Sequence, residues 1–499
     1  MAVARVASRA QLGLDAPRVE VEVHLGSGLP TFSIVGMPAT AVKESKERVR
    51  AALANSGFEF PAGRITVNLS PADLPKEGCR YDLPIALGIL LASGQSKLRA
   101  AKLGNTEFYG ELGLAGELKP IRGVLLAAAH AAREGRDIVI PAANVREARL
   151  AAPVVVRGAA NLLDVCAGGS EAGDTVALLA APPVSVPDLA DVRGQAAAKR
   201  ALIVAAAGGH SLLLVGPPGT GKSMLAQRLP GLLPELEGGE ALDVASIASV
   251  SGRGFEPAEY GRRPFRAPHH TASAGAIIGG GPQARPGEVS LAHRGVLFLD
   301  ELPEFNRGVL ESLREPLESG VVAISRAARQ LQYPARFQLV AAMNPCPCGY
   351  LGDASGRCRC APPVIARYRA RISGPLLDRI DIRVAVSAIA NEDLLMGAAQ
   401  PPAAQTPDAA ARVRVARATQ WARAGKLNAD LTGAETQEHC RPDRVGRRLI
   451  AQARSRMALS ARGVHRVLRV ARTIADLEGG GSILTAHLAE ALQLRRTLD

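Results

Sequence analysis

The sequence predicts an α/β chain in three parts. An α+β domain covers residues 1–166, a parallel-sheet core covers 187–390 and a helical region covers 391–499, with a linker at 167–186. Three observations predict this. Val19-Glu20-Val21-Glu22-Val23-His24 alternates apolar and polar residues with the period of a half-buried strand. The middle of the chain instead carries short, almost wholly apolar runs separated by amphipathic helical patterns, as a sheet covered on both faces requires. The last part is rich in Arg, and its apolar residues recur at helical spacing.

Taken in order, residues 41–56 are charged, Ala-rich and stopped by Gly57, which predicts a helix. Residues 168–187 and 397–407 are rich in Ala, Pro and Gly and mark boundaries. From Arg441 to Arg472 there are ten arginines and one acid, Asp443. Leu449, Ile450, Met457, Leu459, Val464, Val467, Leu468 and Ile474 recur among them, which predicts amphipathic helices with a basic outer face.

At 499 residues and 47% hydrophobic content the chain is long and apolar enough to bury more than one core. Its apolar stretches, such as residues 85–92, fall short of a membrane span, and the first residues do not read as a signal peptide, so a cytoplasmic location is expected. The net charge of +13 favours a polyanionic partner such as nucleic acid, although a general bias towards Arg gives the same balance. Against that bias, only Lys222 and Lys426 follow Lys199. A Lys is thus retained where a compact ammonium is needed.

Lys222 stands in Gly216-Pro217-Pro218-Gly219-Thr220-Gly221-Lys222-Ser223, between the run Ser211-Leu212-Leu213-Leu214-Val215 and a helical pattern. A strand, this glycine-rich loop and a helix N-terminus together form a phosphate cradle. Lys222 is expected to reach the β- and γ-phosphates of ATP, and Ser223 to ligate Mg²⁺. Downstream, Gly295-Val296-Leu297-Phe298-Leu299-Asp300-Glu301 predicts a buried strand ending in two acids: Asp300 for Mg²⁺ and Glu301 to polarise the attacking water. Asn344 ends a third apolar run and is a candidate to orient that water. Arg379, in Leu377-Asp378-Arg379-Ile380-Asp381, is a candidate arginine finger, and Arg469 is a candidate to reach the nucleotide from a lid helix. The order of these groups along the chain resembles that of AAA+ ATPases, which implies ATP hydrolysis.

Phe265-Arg266-Ala267-Pro268-His269-His270-Thr271, Pro286-Gly287-Glu288-Val289-Ser290-Leu291-Ala292-His293 and Leu299-Asp300-Glu301-Leu302-Pro303-Glu304-Phe305 resemble the magnesium-chelatase-like AAA+ proteins, and within them the ComM/YifB group. The resemblance runs over almost the whole chain. It implies a hexameric ring that uses ATP to move branched DNA in homologous recombination and natural transformation. Residues 251–281 then look like an insert in helix 2, and residues 321–337 like the pre-sensor-1 hairpin. Arg262, Arg263, Arg266, His269 and His270, with Arg326 and Arg329, become candidates for DNA phosphate contact, or else are solvated loop charges or ring contacts. Residues 391–499 look like the helical lid. The N-terminal domain resembles the proteolytic domain of Lon through Phe108-Tyr109-Gly110-Glu111-Leu112-Gly113 and Ile138-Val139-Ile140-Pro141. Asp82 stands where that resemblance would place the nucleophilic Ser, and Leu125 and Ala127 occupy the region of the catalytic Lys, so no protease activity is expected.

Cys346-Pro347-Cys348 and Cys358-Arg359-Cys360 bring two pairs of thiols within a short stretch, a candidate Zn²⁺ site. The spacing is tighter than Cys-x₂-Cys, and four reduced cysteines in a loop remain the other reading. Two further function classes stay open: the ATPase partner of a metal chelatase, and a scaffold whose assembly ATP switches.

Overall fold

The structure, a computed structural model, describes residues 2–96, 103–151, 153, 155–168, 170–171, 187–252, 254–281, 284–326, 329–352, 356–387, 405–457 and 459–495. Most of the expected linker, and the boundary expected near residue 390, lie outside the described residues. The chain forms two compact units, Met1–Pro183 with Gly238–Tyr260, and Val184–Glu237 with Gly261–Asp499.

The first unit contains β1 (Ala2–Arg9), β2 (Arg18–Gly26), β3 (Thr31–Val35), β4 (Arg64–Ser70), β5 (Thr106–Phe108), the short pair β6 (Glu111–Leu112) and β7 (Leu118–Lys119), β8 (Asp137–Pro141), β9 (Val156–Ala159) and β10 (Ser170–Glu171). Eight of them form one mixed sheet in the order β10-β9-β8-β5-β1-β2-β4-β3. The alternation expected along β2 is present: Val19, Val21 and Val23 are buried, while Glu20, Glu22 and His24 are less so. The helix Asp82–Ala92 lies against this core. Its Gly88 is needed there, because a Cβ would come within 2.4 Å of Val23. The helix Ser45–Asn55 matches the pattern expected at 41–56 and is followed by Gly57 at φ +80°.

The helix Gly238–Val250 follows the phosphate loop in sequence, yet it belongs to the first unit. Ala245 joins the core formed by Val124, Leu125 and Ala128, and Leu242 packs against it. The Gly123 amide donates to Ser249 O, and the Ser249 hydroxyl donates to buried Glu147. A single insert was expected at 251–281; the structure divides it, with residues up to 260 in the first unit and Gly261 onward in the second.

The second unit is built on β11 (Leu212–Val215), β12 (Phe265–Arg266), β15 (Val296–Leu299), β18 (Gln338–Met343) and β19 (Ile382–Ala385). They form a parallel sheet in the order β12-β15-β18-β11-β19. β11, β15 and β18 are buried at every position, as a sheet covered on both faces must be. Phe265 and Arg266, expected within the insert, are instead the edge strand of this sheet, and the Phe265 ring stacks on Phe298 at 6.0 Å. The segment beyond them holds the two-stranded β13 (Gly279–Gly280) and β14 (Arg285–Pro286). The expected hairpin is present as β16 (Val321–Arg326) and β17 (Arg329–Pro334), with Arg326 opposite Arg329 at its tip. The side chains of those two residues lie outside the described structure.

The C-terminal helices Thr406–Ala424, Gly433–His439, Arg444–Arg456, Ala461–Leu477 and Thr485–Gln493 match the expected helical region. Asp443, Ser460 and Thr432 each cap a helix start through the side chain, and Glu435 closes a capping box with Thr432. Among the described residues no helix is long and apolar enough to cross a membrane.

Candidate ATP-binding and hydrolysis site

The register of the parallel sheet sets the site. Val215 pairs with Met343 and Leu299 with Ala341, so the segments leaving β11, β15 and β18 emerge together at the carboxyl end of the sheet. Gly216 leaves β11 so close to β19 that a Cβ would lie 2.1 Å from Val386 O. Gly219 and Gly221 take φ of +76° and +86°, the left-handed backbone that turns the loop into the helix Lys222–Leu232. The Thr220 hydroxyl donates to Pro217 O at 2.9 Å within the loop.

Lys222 is buried, and its ammonium donates to Gly216 O at 2.8 Å, Pro217 O at 2.8 Å and Asn344 Oδ1 at 3.1 Å. Three acceptors match its three hydrogens. Burial lowers its pKa, against the pull of Asp300 and Glu301. The Ser223 hydroxyl donates to Asp300 Oδ2 at 2.6 Å. Direct hydrogen bonds thus join the neighbours Lys222 and Ser223 to two residues far along the chain, Asn344 and Asp300 respectively. This donor set fits ATP and Mg²⁺: an ammonium at a glycine-rich helix N-terminus suits phosphate, and a hydroxyl beside a carboxylate suits Mg²⁺.

Glu301 follows Asp300 in the left-handed region at φ +51°, and its amide donates to Asp300 Oδ1 at 2.9 Å. Its carboxylate lies 3.1 Å from His270 Nδ1. The His270 ring packs on His269 at 4.1 Å between centroids and meets the edge of Phe305 at 6.5 Å. The sequence offered His270 as a DNA contact; the structure gives it to Glu301. Chain spacing carried no signal for that pair.

Several other candidates for DNA contact are likewise engaged within the chain. Arg266 forms a two-pronged ion pair with Glu288 at 2.6 and 2.8 Å. Arg263 donates to Pro234 O and to Arg294 O, fixing the approach to β12. A half-buried guanidinium takes whatever acceptor lies beside it, because leaving its hydrogens unmet is unfavourable. His269 is exposed, with Nδ1 2.9 Å from Thr271 Oγ1, and Arg262 is half-exposed.

Arg379 ends the helix Gly374–Asp378. Its guanidinium is buried against Pro375 O at 2.8 Å and Glu318 Oε1 at 2.5 Å, in a cleft shared with Glu311, Arg314, Glu315 and Ser319. These partners are not in the phosphate loop. Two residues on, buried Asp381 is bound by Arg466, and His210 Nδ1 lies 3.4 Å from it. His210 Nε2 in turn lies 2.8 Å from Thr473 Oγ1. Burial pushes the Asp381 carboxyl up, but Arg466 and His210 outweigh it and hold the group well below the usual carboxylate range. Arg466 also donates to Arg379 O at 2.9 Å, so the helix Ala461–Leu477 braces the turn that carries Arg379. Arg469, expected near the nucleotide, instead donates to Thr436 Oγ1 and Ala429 O, both at 3.0 Å. It lies one turn from Arg466 on the same helix, where acceptors of the helical region are the nearer ones.

The thiols of Cys346, Cys348, Cys358 and Cys360 converge, with all four sulfurs within 4.8 Å of one another. The tight spacing is therefore no obstacle to a four-thiolate site. In the first unit, Asp82 is fully buried and accepts from Arg48 at 2.7 and 3.1 Å and from the Leu112 amide at 3.2 Å. Burial raises its pKa to about 6, against the pull of Arg48.

This fold and site define a magnesium-chelatase-like AAA+ protein. The family model described as magnesium chelatase, subunit ChlI, matches residues 188–394; the subunit ChlI model matches 21–144, and its C-terminal model 403–495. The chain is 47% identical to the competence protein ComM of Haemophilus influenzae, over 99% of this chain and 98% of that one. It is 45% identical to YifB of Escherichia coli, over 99% of this chain and 97% of that one. The magnesium-chelatase 38 kDa subunit of Rhodobacter capsulatus is 30% identical over 30% of this chain and 48% of that one. The chain belongs to the ComM/YifB family of magnesium-chelatase-like AAA+ proteins.

Proposed function

We propose that this protein is an ATP-hydrolysing, ring-forming motor that acts on DNA in the cytoplasm, as a hexamer that drives branch migration during homologous recombination and natural transformation. The observation that carries the ATPase part is the pair of bonds Lys222–Asn344 and Ser223–Asp300 at the carboxyl end of the sheet. In this reading Lys222 exchanges its carbonyl partners for the β- and γ-phosphates. Ser223 and Asp300 hold Mg²⁺, which neutralises phosphate charge. Glu301 accepts a proton from the attacking water that Asn344 helps to orient. Arg379 serves the site of the neighbouring subunit. The four cysteines hold Zn²⁺. The DNA part draws on the full-length similarity to a competence protein and on the net charge of +13. In this reading Arg262 and His269, with Arg326 and Arg329 at the hairpin tip, contact phosphate, while Arg263 and Arg266 hold acceptors of the chain itself.

The test is strand exchange on a synthetic four-way junction, with and without ATP. ATP-dependent conversion that Glu301→Gln abolishes supports the motor; conversion indifferent to ATP overturns it. The second reading, a chelatase motor, rests on the matches to chelatase models. It predicts hydrolysis stimulated by a porphyrin-binding partner and indifferent to DNA.

A further inference from the structure

We propose that the ion held by Cys346, Cys348, Cys358 and Cys360 acts as a clasp on the phosphate loop, holding Gly349 against Pro218 so that nucleotide affinity depends on the bound metal. The proposal rests on the Zn²⁺ reading above and adds a role for the metal.

The sulfur geometry comes first. A zinc–thiolate bond of about 2.3 Å in a tetrahedron sets sulfurs roughly 3.8 Å apart. Here Cys346 Sγ lies 3.3 Å from Cys348 Sγ and 3.7 Å from Cys358 Sγ, and Cys348 Sγ lies 3.7 Å from Cys358 Sγ. A cage already close to that size takes up the ion with little movement. Each thiol that binds releases its proton to solvent, and no electron transfer is involved.

The position of the cage gives it its role. Cys346 is buried two residues beyond Asn344, which bonds Lys222. The Gly349 amide donates to Cys346 O at 2.9 Å, closing a turn at φ +84°. That turn presses on the phosphate loop: a Cβ on Gly349 would lie 2.7 Å from Pro218 Cδ and 3.8 Å from Asn344 Cγ. Beyond the second cysteine pair, Arg369 donates to Pro345 O at 3.4 Å, and Arg371 donates to Glu304 Oε2 at 2.6 Å, just past Glu301. The stretch from Pro345 to Arg371, which carries both cysteine pairs, thus has its two ends tied to each other and to Glu304, with the Gly349 turn against the cradle. Four thiols are weak hydrogen-bonding groups and hold such a turn poorly by themselves. One zinc ion ties both arms together.

The experiment uses the full-length chain, purified tag-free in reducing, chelator-free buffer. Metal content and free thiols are counted, and affinity for a fluorescent ATP analogue is measured before and after a mercurial displaces the metal, then after zinc and reductant are returned. The expected result is about one zinc per chain. Stripping should weaken nucleotide binding by on the order of tenfold, about the worth of one charge-assisted hydrogen bond, and zinc should restore it. Gly349→Val keeps all four thiols. It should retain its zinc and still bind the analogue less tightly, which separates a clasp from general loss of fold. Absence of metal, or two disulfides in place of thiols, overturns the zinc reading and the clasp with it. Zinc that binds, but whose removal leaves affinity unchanged, overturns the clasp alone, as does unaltered affinity in Gly349→Val. An untreated chain that fails to bind the analogue would instead count against the ATPase reading.

Discussion

His270 Nδ1 lies 3.1 Å from Glu301 Oε2, joining a segment that follows the edge strand β12 to the acid proposed to activate water. A carboxylate oxygen engaged by His270 must give up that partner before it can take a proton from water. His270→Ala should therefore raise DNA-independent hydrolysis by about two- to fivefold, the rate equivalent of a partly exposed pair worth roughly 0.5–1 kcal/mol, and leave ATP affinity unchanged. Steady-state ATPase assays with and without DNA decide it; a fall in basal rate would show that His270 aligns Glu301 for reaction.

Lys222 and Glu301 should separate binding from chemistry. The Lys222 ammonium already sits among acceptors at the loop, so Lys222→Ala should lose nucleotide affinity. Glu301→Gln should keep ATP bound and lower turnover by about 10²-fold or more, as expected for loss of a general base. Equal loss of binding in the two variants would refute the division of labour.

Arg379 does not contact its own phosphate loop; it is paired with Glu318. A finger acting on the next subunit predicts that Arg379→Ala binds ATP nearly normally while hydrolysis falls roughly 10³-fold. Mixing Arg379→Ala with Lys222→Ala should recover part of the activity, since some interfaces then carry both intact groups. Mixed rings without recovery would make Arg379 a structural partner of Glu318, and a matching fall in thermal stability would agree with that.

Asp381 offers a pH-dependent test. Its carboxyl is held below the unfolded value of about 3.9, so it stabilises the fold above that pH, and the contribution is lost as pH falls through the folded value. Asp381→Asn should destabilise the protein by about 3–5 kcal/mol at pH 7, because Arg466 is left without its carboxylate. The gap between wild type and variant in thermal unfolding should stay level down to about pH 4 and narrow below it. A gap independent of pH would mean that the charge of Asp381 is not what matters.

Much of this protein is legible from local pattern. The alternation at Val19–His24 and the buried runs that became β11, β15 and β18 mark strands, because side-chain direction repeats every two residues and a doubly covered sheet is apolar throughout. Gly219, Gly221 and Lys222 announce the phosphate loop, because left-handed backbone beside a helix start needs those residue types at that spacing. Chain order alone then ranked Asp300, Glu301 and Asn344 as its companions.

Partnership across the fold was decided by the tertiary structure. An Ala-rich helix states that one face is buried and leaves its partner open, so only packing placed Gly238–Val250 against Val124, Leu125 and Ala128 in the first unit. A run of Arg and His reads as a phosphate-binding patch until a carboxylate is found beside it: Glu288 takes Arg266 and Glu301 takes His270, while Thr436 and Ala429 hold Arg469. Short-range sterics fix which conformation a segment adopts, and these are written in neighbouring residues. Hydrogen bonds and ion pairs act over a few ångströms in space, and that distance exists only after the chain has folded.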